Sequence, residues 1–421
     1  MFRTAAMIMI MSMLAGACSK NNGPEKPEDN TGQTTGPGGN GSGDQGGSGD
    51  QGNSGNEGGS GDEGGNEGGT SGGDHGGSGD SGDQGGSGDS GSGDQGDQPK
   101  PQITANSWMT AIDDDTKIAL LTIPATHDAA TSTCSAAGKC QTLTISEQLE
   151  HGVRAFDLRP TMNDNSTLGN IYHSILDTGV SMGNAMEYFD SFLKAHPGEG
   201  IIVIMRYESE RQIFGSIAED NYKTAMKNFL WDSRIYQSRM AAFNRSMTMK
   251  DLRGKILIIS RNDLSPVSTF ETAYTQWSHS NSVGEALQIY GTGGLGRIYV
   301  QDMYSAEKNG NSSEADFLAK KKELVCKLLD ITVPFREYEQ NNWVINYCSG
   351  YAGSSFASDS YAKNAASTNP AALEHIQAHT GKGFTGIVMM DYAGTDTYEV
   401  GGSSFNVSGK SLTEELILNN F

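Results

Sequence analysis

Two histidines, two aspartates and an arginine fall at the ends of three consecutive apolar stretches, in a 421-residue chain that has only eight histidines. The first stretch, Ile118 to Asp128 (IALLTIPATHD), ends in His127 and Asp128. The second, Val153 to Arg159 (VRAFDLR), ends in Asp157 and Arg159, and the third, Gly169 to Ile175 (GNIYHSI), carries His173. Imidazoles exchange protons near neutral pH, and a guanidinium grips planar or tetrahedral anions. The combination points to acid/base chemistry beside an anion.

Apolar runs that deliver charge at one end are what a parallel α/β barrel requires, because its reactive groups sit at the carboxyl ends of strands. Eight strand candidates occur: 118–124, 153–159, 170–175, 201–207, 256–261, 298–304, 343–348 and 386–392. Helix candidates lie among them at 146–151, 183–195, 220–230, 314–329 and 370–379. Continuous apolar strands alternating with helices argue a sheet buried on both faces, and eight strands predict a (β/α)8 TIM-type barrel as a single catalytic domain over 101–421. The connection between the second and third candidates is too short for a helix, so the barrel is expected to be irregular there. Later strand ends add Arg206 with Glu208, Arg261, Asp302 with Tyr304, and Asp391.

The rest of the chain is of another kind. Residues 1–18 have Arg3, a methionine-rich apolar run and small residues before Cys18 (LAGAC), which predicts an export signal with a lipidation site at Cys18. From 19 to 100 runs a Gly/Ser/Asp-rich segment, with fifteen acids against three lysines and no large aliphatic or aromatic residue. Such a segment cannot bury enough apolar surface to fold and reads as a tether with a reach of roughly 50 Å. These features predict an exported, membrane-anchored lipoprotein at the outer membrane or cell surface. The net charge of −21 and the absence of a basic stripe exclude a nucleic-acid partner. Four further cysteines remain, and the five-residue loop between Cys134 and Cys140 suggests one disulfide, with Cys326 and Cys348 a second candidate pair.

Six segments taken in order resemble the bacterial phosphatidylinositol-specific phospholipases C and the X domain they share with eukaryotic phosphoinositide phospholipases. They are TIPATHDAAT, SEQLEHGVRAFDLRP, YHS at 172–174, GKILIISR, VQDMY and GIVMMDYA. The resemblance implies cleavage of phosphatidylinositol, or of glycosylphosphatidylinositol (GPI) anchors, by attack of the inositol 2-hydroxyl on its own phosphodiester. It assigns His127 as general base with Asp391 behind it, His173 as general acid assisted by Asp128, and Arg159, oriented by Asp157, as the phosphate ligand. Arg206, Arg261, Asp302 and Tyr304 would hold the inositol ring, Arg206 standing where bacterial relatives commonly have lysine. No cofactor is expected. Asp157, Glu208 and Asn163 could imitate calcium ligands, but Arg159 occupies the place of the ion, so catalysis is expected to be metal-independent, by a monomer. Trp231 and Trp277 are candidates for a membrane-facing rim or for the core. The alternatives are a metal-dependent barrel phosphodiesterase and an inactive inositol- or glycan-binding surface lipoprotein.

Overall fold

The computed structural model describes residues 103–421, except 164–166, 209–218, 232–236, 265–271, 307–312, 355–356, 380 and 382. The signal, Cys18 and the tether therefore lie outside the described residues.

In chain order the strands are β1 (Thr122–Thr126), β2 (Ala155–Leu158), β3 (Pro160–Met162), β4 (Leu168–His173), β5 (Leu176–Ser181), β6 (Ile201–Met205) and β7 (Ile256–Ser260). There follow β8 (Ala273–Tyr274), β9 (Glu285–Gly291), β10 (Gly294–Gln301), β11 (Asn342–Tyr347), β12 (Gly386–Met390), β13 (Thr397–Val400) and β14 (Ser403–Asn406). The helices are α1 (Ile145–Glu150), α2 (Met182–Ala195), α3 (Glu219–Trp231), α4 (Met249–Leu252), α5 (Glu314–Thr332), α6 (Ser360–Ala378) and α7 (Gly409–Leu418).

Among the described residues, β1, β12, β11, β10, β9, β8, β7, β6 and β2 close a barrel in that order. All pairings are parallel except those of β9, which runs against both β8 and β10. Because side chains alternate along a strand, each barrel strand contributes to two cores. Ala125, Ile204, Ile259, Val300, Ile345 and Met389 belong to one buried cluster inside the barrel. Phe156, Val203, Met205, Ile258, Val388 and Met390 belong to a second, shared with α1, α2, α3 and α7. That double burial is why these strands read as unbroken apolar runs. In α2, Met182, Ala185, Met186, Phe189, Phe192 and Leu193 form the buried stripe, and Ser181 and Asn184 make the capping box that starts the helix.

Several expectations are corrected. The first strand starts at Thr122, because Ile118–Leu120 is a 3-10 turn. The candidate at 170–175 is not a barrel strand: β4 pairs antiparallel with β3 and β5 in a separate three-stranded sheet. Nine residues, 159–167, separate β2 from β4, too few for a parallel crossover, so the chain turns back on itself through β3 instead. In the barrel β2 pairs directly with β6, and the strands not expected are β8 and β9, which lie between β7 and β10. The helix expected to begin at Pro370 begins at Ser360 and carries Pro370 in its interior. Its first half has a polar buried face, with Asn364 and Thr368 donating to the Cys348 carbonyl and Asn369 to those of Asp391 and Val407, which hides the apolar period.

All four described cysteines are free thiols. Two 3-10 turns, Thr131–Thr133 and Ala136–Gly138, shape the segment around Cys134 and Cys140, and the Cys140 N–H is fixed on the Thr131 hydroxyl at 3.1 Å. No described helix is long and apolar enough to cross a membrane.

Candidate active site

Inward parity positions the site. Continuing the interior series Ile123, Ala125 by two gives His127, and Ala155 leads to Asp157 and Arg159. In the same way Ile204 leads to Arg206, Ile259 to Arg261, Val300 to Asp302, and Met389 to Asp391. One end of the barrel thus receives every second residue just past the apolar layer, at the carboxyl ends of the strands. His127, Asp128, Arg159, His173, Arg206, Arg261, Asp302 and Tyr304 line one cavity that opens to solvent. Asp157 and Asp391 are fully buried behind it.

The seam between β1 and β12 sets His127 beside Asp391, since Thr126 pairs with Met390 immediately before them. Gln141 staples this seam by donating to the His127 and Met390 carbonyls at 2.8 and 2.9 Å. His127 Nδ1–H donates to Asp391 Oδ1 at 2.8 Å, and Arg159 Nη2–H donates to His127 Nε2 at 2.9 Å. Arginine cannot accept a hydrogen bond, so this contact places the lone pair of the neutral ring on Nε2, facing the cavity. Arg159 is held by Asp157 Oδ2 at 2.9 Å and Asp128 Oδ1 at 3.1 Å. Asp128 has φ 43, a left-handed conformation rare outside glycine, and its Oδ2 lies between the two imidazoles. The distances are 3.2 Å to His127 Nε2 and 3.4 Å to His173 Nε2.

Burial opposes ionisation of Asp128, yet Arg159 and the histidines hold its carboxyl at about 2. His127 is shifted the other way: burial would lower its pKa, but the carboxylates of Asp128 and Asp391 raise it above the ordinary value. Burial also lifts Asp391, offset in part by His127, so burial and the paired charges act against each other at both groups.

On the far wall, Asp302 accepts from Trp277 Nε1 at 3.0 Å and lies 3.6 Å from Arg261 Nη2. The Arg261 guanidinium stacks 4.1 Å from the Trp277 ring. Trp277 is therefore part of the packing behind the pocket, set against the barrel-interior cluster and backing Arg261 and Asp302, while the Trp231 side chain lies outside the described residues. Tyr304 N–H donates to His279 Nδ1 at 3.2 Å. Sequence reasoning missed Tyr347, Gly350, Tyr351 and Tyr361, which also line the cavity, and His279 and Trp277 behind it. Tyr347 ends an apolar strand just as the charged residues do, and that position was the available signal for it.

His127, Asp128 and Cys140 present potential ligand atoms within 4.8 Å of one another. They do not suit a divalent cation. The Arg159 guanidinium already contacts both His127 and Asp128, and burial keeps the Cys140 thiol protonated. Asn163 turns its amide to the Leu168 carbonyl at 3.2 Å.

Residues 121–262 match the phosphatidylinositol-specific phospholipase C X-domain family. The match includes His127, Asp128, Asp157, Arg159, His173, Arg206 and Arg261 and stops short of Asp302, Tyr304 and Asp391. A 1-phosphatidylinositol phosphodiesterase of Listeria monocytogenes is 34% identical over 170 residues, 39% of this chain and 51% of that protein, so the chain matches about half the length of that relative. One of Staphylococcus aureus is 25% identical over 299 residues, covering 68% of this chain and 88% of that protein. Among solved structures, a histidine-to-tyrosine variant of the phosphatidylinositol-specific phospholipase C from Staphylococcus aureus aligns with a TM-score of 0.59 at 24% identity, over 76% of this chain and 97% of that one. The phosphatidylinositol-specific phospholipase C from Listeria monocytogenes gives 0.53 at 23%, over 76% and 100%. Over residues 121–262 the chain is thus similar to the phosphatidylinositol-specific phospholipase C X domain, and its closed barrel has the fold of these solved phospholipases C.

Proposed function

We propose that the chain cleaves phosphatidylinositol by intramolecular attack of the inositol 2-hydroxyl, releasing diacylglycerol and inositol 1,2-cyclic phosphate. The observation that carries this reading is the pair of imidazoles whose Nε2 atoms face one carboxylate oxygen, at 3.2 and 3.4 Å, with a guanidinium beside them. A base, an acid and an anion ligand thus converge on one cavity.

Each group has a defined task. His127 Nε2 takes the proton of the 2-hydroxyl, whose oxygen attacks phosphorus, and Asp391 steadies the imidazolium that forms. The phosphorus–oxygen bond to glycerol breaks, and His173 Nε2–H supplies the proton to the departing oxygen, with Asp128 supporting that charged ring. Arg159 sits on His127 Nε2 at 2.9 Å, so the arriving phosphate must draw the guanidinium onto its own oxygens before the base is free. Substrate binding and activation of the base are the same event. Arg206, Arg261, Asp302 and Tyr304 line the same cavity as the imidazoles and offer donors and acceptors to ring hydroxyls.

The finer parts of the reading are metal-independent turnover by a monomer, action on GPI anchors as well as free lipid, and display as an exported lipoprotein lipidated at Cys18. Arg159 supports the first of these, because two cations would compete for one phosphate site. The test is residues 101–421 with phosphatidylinositol vesicles in EDTA, followed by phosphorus NMR. A cyclic phosphodiester that disappears in His127→Ala is the expected result. Turnover only after calcium is added would remove the metal-free mechanism, and silence in both conditions would remove the activity. A GPI-anchored protein on vesicles, run in parallel, reads out the second substrate.

A further inference from the structure

His173 reaches the cavity from the end of β4, outside the barrel wall, and is held differently from His127. Its Nδ1 bonds the Gly138 carbonyl at 2.9 Å, which makes Nδ1 the protonated nitrogen and turns Nε2 toward the cavity. A Cβ at 138 would meet Leu176 Cδ1 at 2.2 Å and His173 Nδ1 at 3.4 Å, so any larger residue there would have to displace Leu176 beside the ring. At Nε2 two groups converge, Asp128 Oδ2 at 3.4 Å and the Tyr361 hydroxyl at 3.1 Å.

The two partners are not equivalent. An ionised carboxylate only accepts, so Asp128 complements His173 while Nε2 carries a proton. Once that proton has left, the Nε2 lone pair faces a carboxylate and needs a donor. A hydroxyl rotates to supply one.

We propose that Tyr361 is the positioning residue for the general acid, its O–H donating to His173 Nε2 as the proton passes to the glycerol oxygen. This rests on the reading of the active site given above. The proton moves from Nε2 to the leaving oxygen, which keeps the electron pair of the broken phosphorus–oxygen bond, and Tyr361 keeps its own proton throughout. Burial holds the Tyr361 phenol well above its ordinary pKa, which suits a donor that does not itself ionise. The ring is fixed for this task. It packs with Cys140, Tyr392, Val400 and Val407, and lies edge-on to His173 at 5.4 Å and to Tyr351 at 6.3 Å.

The chemistry makes the effect depend on the leaving group. A glycerol oxygen needs a proton to depart, whereas 4-nitrophenolate does not. The experiment compares Tyr361→Phe with the wild type on phosphatidylinositol and on the 4-nitrophenyl ester of inositol phosphate. With phosphatidylinositol, kcat is expected to fall about tenfold, the worth of one hydrogen bond, with KM little changed. With the nitrophenyl ester the loss is expected to be several times smaller. Equal losses on both substrates, a change confined to KM, or no loss on either would overturn the proposal. If thermal melting shows that Tyr361→Phe has lost its fold, 3-fluorotyrosine at 361 keeps the shape and strengthens the donor. The ratio of the two rates must then change, and a constant ratio overturns the idea. A wild-type protein that cleaves neither substrate sinks the proposed function and this inference with it, which distinguishes that failure from the others.

Discussion

His127 works under two opposed influences. Burial disfavours its charge, and the carboxylates of Asp128 and Asp391 favour it, with a raised pKa as the net result. A protonated ring cannot accept the hydroxyl proton, so kcat/KM is expected to rise with pH through that raised value, with its acidic limb above the ordinary 6.5. In Asp391→Asn the supporting charge is gone. The limb should move to lower pH while kcat falls about 10²–10⁴-fold, and a pH–rate profile that stays put would contradict the assignment. At this scale the sequence was informative where chemistry and strand parity coincide: ten charged or polar residues at strand ends were readable because each follows an apolar run. Tyr361, Trp277 and His279 were not. Each is a single neutral or half-buried ring in an irregular segment or at a helix start, and nothing local distinguishes it from packing.

The elements show the same division. Barrel strands buried on both faces announce themselves, and so does α2 with its apolar stripe. The strand β9 (EALQIYG) does not, because it is only partly buried and mixes polar with apolar residues. The antiparallel excursion through β3, β4 and β5 was legible only as a connection too short for a helix, yet it delivers His173. Further from the site, Arg154 and Glu199 form a buried pair at 2.8 Å that ties β2 to the 3-10 segment Ala105–Ala111. Glu199 also accepts from the Thr110 N–H at 2.8 Å, and Arg154 Nη2 donates to the Ala105 carbonyl at 3.2 Å. Glu199→Ala leaves a buried cation without its partner. The expected loss is about 3–5 kcal/mol in denaturant unfolding, with kcat near the wild-type value while the protein remains folded. A loss under 1 kcal/mol would mean that water reaches Arg154.

For the molecule as a whole, the reading of 1–100 is a proposal of two parts, a lipid on Cys18 and a long acidic leash. In the native host, the full-length chain is expected to sediment with membranes and to take up labelled palmitate, whereas Cys18→Ala should do neither. Cleavage of monomeric substrate should survive that change, since the site lies wholly within 103–421. Labelling that persists in the variant would rule out Cys18 as the modified residue.

The seam between β1 and β12 has a consequence for how the chain acquires its activity. His127 and Asp391 are 264 positions apart, and they meet only when the first barrel strand pairs with the last. Contacts of such separation form late, because a long loop must close before they return any stabilisation. A chain still being made, or still open, can have its helices and most of its parallel strands in place and yet hold a histidine with no carboxylate behind it. Ring closure thus acts as a safety catch: under the proposed mechanism the base has no carboxylate partner, and the site stays unarmed, until β1 and β12 have joined.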